Sequence, residues 1–292
     1  MHILDMHSHW GTKRGYVLRT PEALARQKET WNSTPRYDTE EEMAAYMKAN
    51  NVRTILDFGF TKNLPLDELM TFHDYALETQ RRFPDSIFGN WLQIDPRLGE
   101  AGAQELERCI RASSGFVSVC VSASGMGYAA NDPIYYPFYE VAQSFNRPVL
   151  VLVGHTGSGA GLPGGDGLIL DLCHPRYVDA LAAKFHDLKI IAGRVAWPWQ
   201  DEMLAILLHK PNVWNELHGW SPKYFTDALK RDIRSRLKDR MMFGADYPLF
   251  RYERLVADWK ALGYDDDILK RVFHANAERL LGVAPEGKWT SA

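Results

Sequence analysis

Cysteine is scarce in this sequence: Cys109, Cys120 and Cys173 are the only three among 292 residues, far apart and without CxxC spacing. That excludes a disulfide framework and a thiolate zinc site, and it points to a reducing compartment. Net charge is also small, −3 from 34 Lys+Arg against 37 Asp+Glu, so the footprint expected of a nucleic-acid or anionic-membrane binder is missing. No apolar run reaches the roughly 18 residues of a membrane span. The opening MHILDMHSHW puts Asp5 and His7 where a signal peptide would carry its apolar core, and a cytoplasmic protein is expected. No low-complexity tract, Pro/Ser linker or charge block divides the chain, so 1–292 is expected to form a single domain.

What the chain does contain is a recurring unit: a short apolar, β-branched run, a polar or glycine-containing stretch, then an amphipathic segment. The runs fall at 3–6, 54–58, 87–92, 116–121, 149–153, 189–192, 213–217 and 241–244. Helical segments are expected at 39–50, 67–82, 100–112, 134–145, 176–185, 201–209, 222–237, 252–262 and 265–281. Asp38-Thr39 before Glu40-Glu41-Glu42 supplies cap oxygens and acidic side chains for the first of these. The runs are continuously apolar instead of alternating, as parallel strands buried on both faces are. Eight such units predict a (β/α)8 barrel with loop insertions at its C-terminal face, where barrels of this type place function.

The first run ends in Asp5-Met6-His7-Ser8-His9. His7 and His9 are two apart on a strand, so they share a face about 7 Å apart and can converge on one ion. A bare HxH pair equally describes two histidines without a ligand. His155 closes the fifth run and Asp246 the eighth; each alone suits a turn former or helix cap, whereas together with the pair they make an N3O set for one divalent metal, zinc first, with manganese or iron as alternatives. Arg194 ends the sixth run. It can bind a carboxylate, a phosphate or a developing enolate, or pair with Asp201 or Glu202. His218 after the seventh run is either an acid–base group or a buried histidine bonded to the backbone, and Cys120 reads as core. Trp197, Trp199 and Trp220 follow strands six and seven, where ring-stacking surface would receive a small substrate. The segment from Gly159 to Gly164 formally matches GxGxxG, but Gly165-Asp166-Gly167 continues it as a loop, so it is set aside as a dinucleotide site. The stretch 157–167 is read as a mobile loop over the active face.

On these residues the sequence resembles the amidohydrolase superfamily, in the branch similar to aminocarboxymuconate semialdehyde decarboxylase and related metal-dependent hydrolases. The matching elements are Asp5-Met6-His7-Ser8-His9, Val153-Gly154-His155-Thr156-Gly157, Ala196-Trp197-Pro198-Trp199-Gln200-Asp201-Glu202, Gly219-Trp220-Ser221-Pro222-Lys223-Tyr224-Phe225, Phe243-Gly244-Ala245-Asp246-Tyr247-Pro248 and Asn276-Ala277-Glu278-Arg279-Leu280-Leu281. They run in order along nearly the whole chain. The resemblance implies that His7, His9, His155 and Asp246 bind one divalent metal. It also implies that homodimers are common. The departure is Arg194, where the branch usually places a sixth-strand histidine. Cys120 or a neighbour at the fourth strand argues against a second metal. The segment beginning Gly219-Trp220 also looks like members that hydrolyse aromatic β-ketoacyl thioesters.

The expected activity is therefore metal-dependent hydrolysis of a small carbonyl compound by metal-activated water. Asp246 and His218 would handle protons, and Arg194 would hold the anionic group. The alternatives are non-oxidative decarboxylation of an aromatic or enol acid on the same site, and a binding barrel that has lost its metal.

Overall fold

A computed structural model describes residues 1–12, 14–15, 21–31, 39–59 and 64–283. Asp38, half of the cap pair expected before the first helix, lies outside them. Eight strands form one parallel sheet in sequence order: β1 (Ile3–His9), β2 (Val52–Asp57), β3 (Ile87–Leu92), β4 (Phe116–Val121), β5 (Val149–Leu152), β6 (Ile190–Gly193), β7 (Val213–Glu216) and β8 (Met241–Met242). The eight apolar runs correspond to these strands one for one. Because every strand runs parallel, each connection must cross back over the sheet, and helices make the crossings. They are α1 (Pro21–Trp31), α2 (Glu40–Ala49), α3 (Leu66–Arg82), α4 (Gly99–Ala112), α5 (Ala123–Met126), α6 (Tyr136–Ser144), α7 (Arg176–Lys184), α8 (Gln200–His209), α9 (Asp227–Ile233), α10 (Tyr252–Lys260), α11 (Asp266–Lys270) and α12 (Asn276–Leu281).

The core divides into two shells. Leu4, Met6, Ile55, Phe88, Val117, Leu150, Ile191 and Met242 pack together inside the barrel, joined by Ala277, Leu280 and Leu281 of α12, which plugs the end where the strands begin. The larger shell lies between strands and outer helices. Closure falls at β8, only two residues long, where Met6 N donates to Phe243 O (3.0 Å), Asp246 N to His7 O (2.9 Å) and His9 N to Tyr247 O (2.6 Å). Asp5 reinforces this seam: its buried carboxylate accepts from Ala245 N (2.9 Å), Tyr252 Oη (2.8 Å), Thr54 Oγ1 (2.9 Å) and Ser8 Oγ (2.5 Å).

Where local structure departs from expectation, a tertiary bond explains it. The helix expected over 265–281 is interrupted by a π turn at Arg271–Ala275, because the Val272 carbonyl accepts Phe243 N of the β8 segment (2.9 Å) and is drawn away from the helical ladder. The segment 222–237 begins as a 3-10 turn at Pro222–Tyr224; the helix itself starts only after Thr226, whose hydroxyl accepts Leu229 N (3.2 Å). Helix α1 was not anticipated. At Thr39 the expected cap forms, with its hydroxyl accepting Glu42 N and Glu42 reaching back to Thr39 N. In the glycine-rich stretch, Gly164, Gly165 and Asp166 are consecutively left-handed, a conformation that cannot open a right-handed helix onto a nucleotide. Among the described residues no helix is long and apolar enough to cross a membrane.

Candidate active site

Polar residues stand at the ends of β1, β2 and β7 and just after β5, β6 and β8, and closure of the barrel brings these ends to one rim. From β1, His7 and His9 approach with ring centroids 5.0 Å apart. His7 is fully buried between two partners: Nε2 meets Asp57 Oδ2 at the end of β2 (2.9 Å), and Nδ1 meets His218 Nδ1 after β7 (2.7 Å). Asp57 also accepts Gln93 Nε2 (2.8 and 3.1 Å). Glu216 ends β7 and faces back on its own loop, with Oε1 2.5 Å from His218 Nδ1 and Oε2 accepting His218 N (3.1 Å). A Cβ on Gly244 would collide with Glu216 Oε2 and with His218 Cβ, so only glycine lets the chain leaving β8 pass here.

Protonation in this cluster is set by who faces whom. Burial pushes the Glu216 carboxyl up to about 7, against the pull of His7. Burial also pushes His218 down to about 3, with Arg194 and His9 adding to it against Asp246. His9 goes the other way, up to about 9: burial opposes this, but Asp246 Oδ1 lies 3.1 Å from Nε2 and its bond and charge outweigh the penalty. Asp246 is in turn held well below the usual carboxylate range, because the His9 bond and the neighbouring imidazoles overcome its burial. His9 and Asp246 are thus an ion pair, while Nδ1 of His7 and Oε1 of Glu216 both converge on Nδ1 of His218.

Donor atoms that converge in this way are what a cation requires. Ligand atoms of His7, His9 and Asp57 lie within 4.8 Å of one another, as do those of His7, Glu216 and His218. The 3.1 Å from His9 to Asp246 is close to the roughly 3.4 Å edge of a tetrahedron with ~2.1 Å metal bonds. All these donors are N or O. The neighbouring Cys120 thiol is raised well above its ordinary range by burial, which keeps it protonated and out of the set. A divalent ion therefore fits the donor chemistry. His155 belongs to neither close group. Its ring stands edge-on to Trp197 (5.8 Å), and its backbone carbonyl accepts Arg194 Nη1 (3.1 Å).

Arg194 and Asp246 follow β6 and β8 with left-handed backbones, φ 79° and 59°, uncommon for residues other than glycine and concentrated at functional sites. The Arg194 turn is pinned by its N–H to Glu216 O (2.9 Å) and by Asn215 Nδ2 on its carbonyl (2.9 Å). Glu202 takes no part; it faces His174 (3.4 Å). Arg194 is 8% exposed, and its Nε is buried without a partner among the described residues. A Cβ placed on Gly219 would lie 3.5 Å from Asp246 Oδ2 and 3.7 Å from Arg194 Cγ, so the cation's stem and the carboxylate flank one point. Trp197, 48% exposed, and Trp220, next to Gly219 in sequence, hold their rings 6.0 Å apart. Trp199 turns to His174 instead, with ring centroids 4.6 Å apart.

Sequence reasoning passed over Asp57, Gln93 and Glu216. The signal was present, since each closes or follows an apolar run just as His155 and Asp246 do.

A family model described as amidohydrolase matches residues 4–283, and the chain belongs to this family. No curated protein sequence matches it significantly. Among solved structures, it is similar to an uncharacterised TIM-barrel protein from Bordetella bronchiseptica (19% identity, TM-score 0.71, covering 97% of this chain and 99% of that one). It is also similar to a dihydroxybenzoic acid decarboxylase from Polaromonas with bound manganese and 2-nitroresorcinol (18%, 0.69, 99% and 99%). A third is a 5-carboxyvanillate decarboxylase from Novosphingobium aromaticivorans complexed with manganese and 4-hydroxy-3-methoxy-5-nitrobenzoic acid (17%, 0.70, 97% and 96%). At these identities the likeness is one of fold.

Proposed function

We propose that this member of the amidohydrolase family is a metal-dependent, non-oxidative decarboxylase of a small aromatic or enol carboxylic acid. The observation that carries the reading is Arg194, a buried guanidinium whose Nε has no partner among the described residues, set beside a histidine–carboxylate cluster that fits a divalent ion. A fixed, desolvated cation in that position suits a carboxylate, and a guanidinium is too basic to serve as the base that hydrolysis needs. Two of the similar solved structures are decarboxylases of hydroxylated benzoic acids with bound manganese, which makes manganese as fitting a candidate as zinc.

We assign the ion to His7, His9, His155 and Asp246, the set that the sequence resemblance implies; the approach of His9 to Asp246 (3.1 Å) supports it, His155 stands outside the close groups, and Asp57 orients His7 through Nε2. When bound, the ion supplies a Lewis acid for the substrate's carboxylate and adjacent hydroxyl oxygens. The chain does the rest. Arg194 holds the anion, while Trp197 and Trp220 cover the ring and limit water. When the C–CO2 bond breaks, its electron pair stays on the ring or enol carbon, and that carbon must take a proton. Glu216 and His218 form the store for it, since Glu216 holds its proton up to about pH 7 and touches His218.

The test is product analysis on a panel of hydroxybenzoic and keto acids with manganese- and zinc-loaded protein. Release of carbon dioxide with a proton in its place, abolished in Arg194→Ala, is the expected result. Two organic fragments with water incorporated would establish hydrolysis instead.

A further inference from the structure

At the opposite end of the barrel lies a second group of metal-ligating side chains that the reaction above does not use. His2 precedes β1, His274 sits on the π turn and Glu278 one turn further on α12. His2 Nε2 is 2.6 Å from Glu278 Oε1, His274 Nδ1 is 2.9 Å from Glu278 Oε2, and the two rings stand 3.8 Å apart. The candidate ligand atoms all lie within 4.8 Å of one another. Side-chain exposure is 7% for His274, 10% for Glu278 and 38% for His2, so two donors are fixed in the wall and the third can adjust. The wide turn at Arg271–Ala275 contributes to this arrangement, because it places His274 on the segment whose register β8 has displaced.

We propose that His2, His274 and Glu278 form a site for a divalent transition cation of the zinc class, separate from the barrel mouth. Two imidazoles and one carboxylate are an N2O set suited to such an ion, and three protein ligands leave a position for water. In neutral rings each bonded N–H now points at Glu278; binding moves that proton to the other ring nitrogen, so no net proton need be lost. Access is open. A cavity of about 300 Å³ is lined by His2, Glu278, Ile3, Leu4 and Phe88, and Lys48 on its rim is occupied by Asp85 (3.4 Å). The ion would tie the residue before β1 to the helix that plugs the barrel, on the side where β8 offers only two residues of regular pairing. Its role is thus to hold the closing seam.

The test uses the full chain, stripped with a chelator and reloaded with zinc chloride alone. Wild type is expected to carry one more zinc per chain than His2→Ala or His274→Ala, with turnover alike in all three. At saturating zinc the wild-type midpoint should exceed that of the stripped protein by about 5 °C more than the variants' midpoints do. His2→Ala changes a residue outside the core, so its fold is secure. Equal zinc content and equal zinc-dependent stabilisation in wild type and His2→Ala would overturn the proposal. Neither readout depends on the reaction at the mouth.

Discussion

Glu216 at the barrel mouth and Glu105 on α4 are both buried glutamates in contact with a buried histidine, yet their acidities diverge. Glu105 accepts from His73 Nδ1 (2.6 Å) and from Arg108 Nε and Nη2 (2.6 and 2.8 Å). These bonds overcome its burial and hold it down to about 2. Glu216 has imidazole and its own backbone for company, no guanidinium bonded to it among the described residues, and stands near 7. Burial weighs more heavily on Glu216, and Glu105 alone has a permanent cation bonded to it among the described residues, so both effects separate the pair. Where the cation is bonded, the cluster is a strut between α3 and α4. Where it is not, the carboxyl can still exchange a proton near neutral pH, which is the property expected of a catalytic group.

Substitutions at the two glutamates should break along that line. Glu216→Gln is expected to lower kcat by about 10²–10⁴-fold while leaving the urea midpoint near wild type; unchanged kinetics would remove Glu216 from the proton path. Glu105→Gln should do the reverse, costing about 2–3 kcal/mol in urea unfolding with turnover per folded molecule preserved.

A pH series separates the pair further. Because the folded-state value of Glu105 is depressed below its ordinary 4.5, its contribution is full above about pH 4.5 and is lost as pH falls toward about 2. The stability gap between wild type and Glu105→Gln should therefore shrink across that window. A constant gap would mean that the bonds to His73 and Arg108 do not depend on the charge. The smallest expected effect concerns the aromatics. Trp197→Ala should raise KM about 10-fold with kcat retained, whereas Trp199→Phe, whose ring rests on His174, should change neither.

Much of this was legible beforehand. Strands buried on both faces are mostly apolar, so all eight appear as runs, and a barrel follows from their number and the helices between them. His7, His9, Arg194, His218 and Asp246 stood out because histidine, arginine and aspartate at strand ends are conspicuous. Asp57 and Glu216 stood at strand ends too, but an acid closing an apolar run is the ordinary start of a turn, and nothing local distinguishes Glu216 from the acids of the neighbouring helices. Trp197 and Trp199 look equivalent in sequence. Two residues of backbone rotation send one to the mouth and the other to His174.

The linear chain by itself determined the architecture and the kind of chemistry, since apolar periodicity and residue type act over a few neighbouring positions. Tertiary structure alone decided which groups meet and in what state of charge. His7 lies 50 residues from Asp57 and 211 from His218, and the π turn that carries His274 exists because a β8 amide claims the Val272 carbonyl. An ionisation state is the sum of burial and of charges a few ångströms away, and those distances exist only once the barrel has closed.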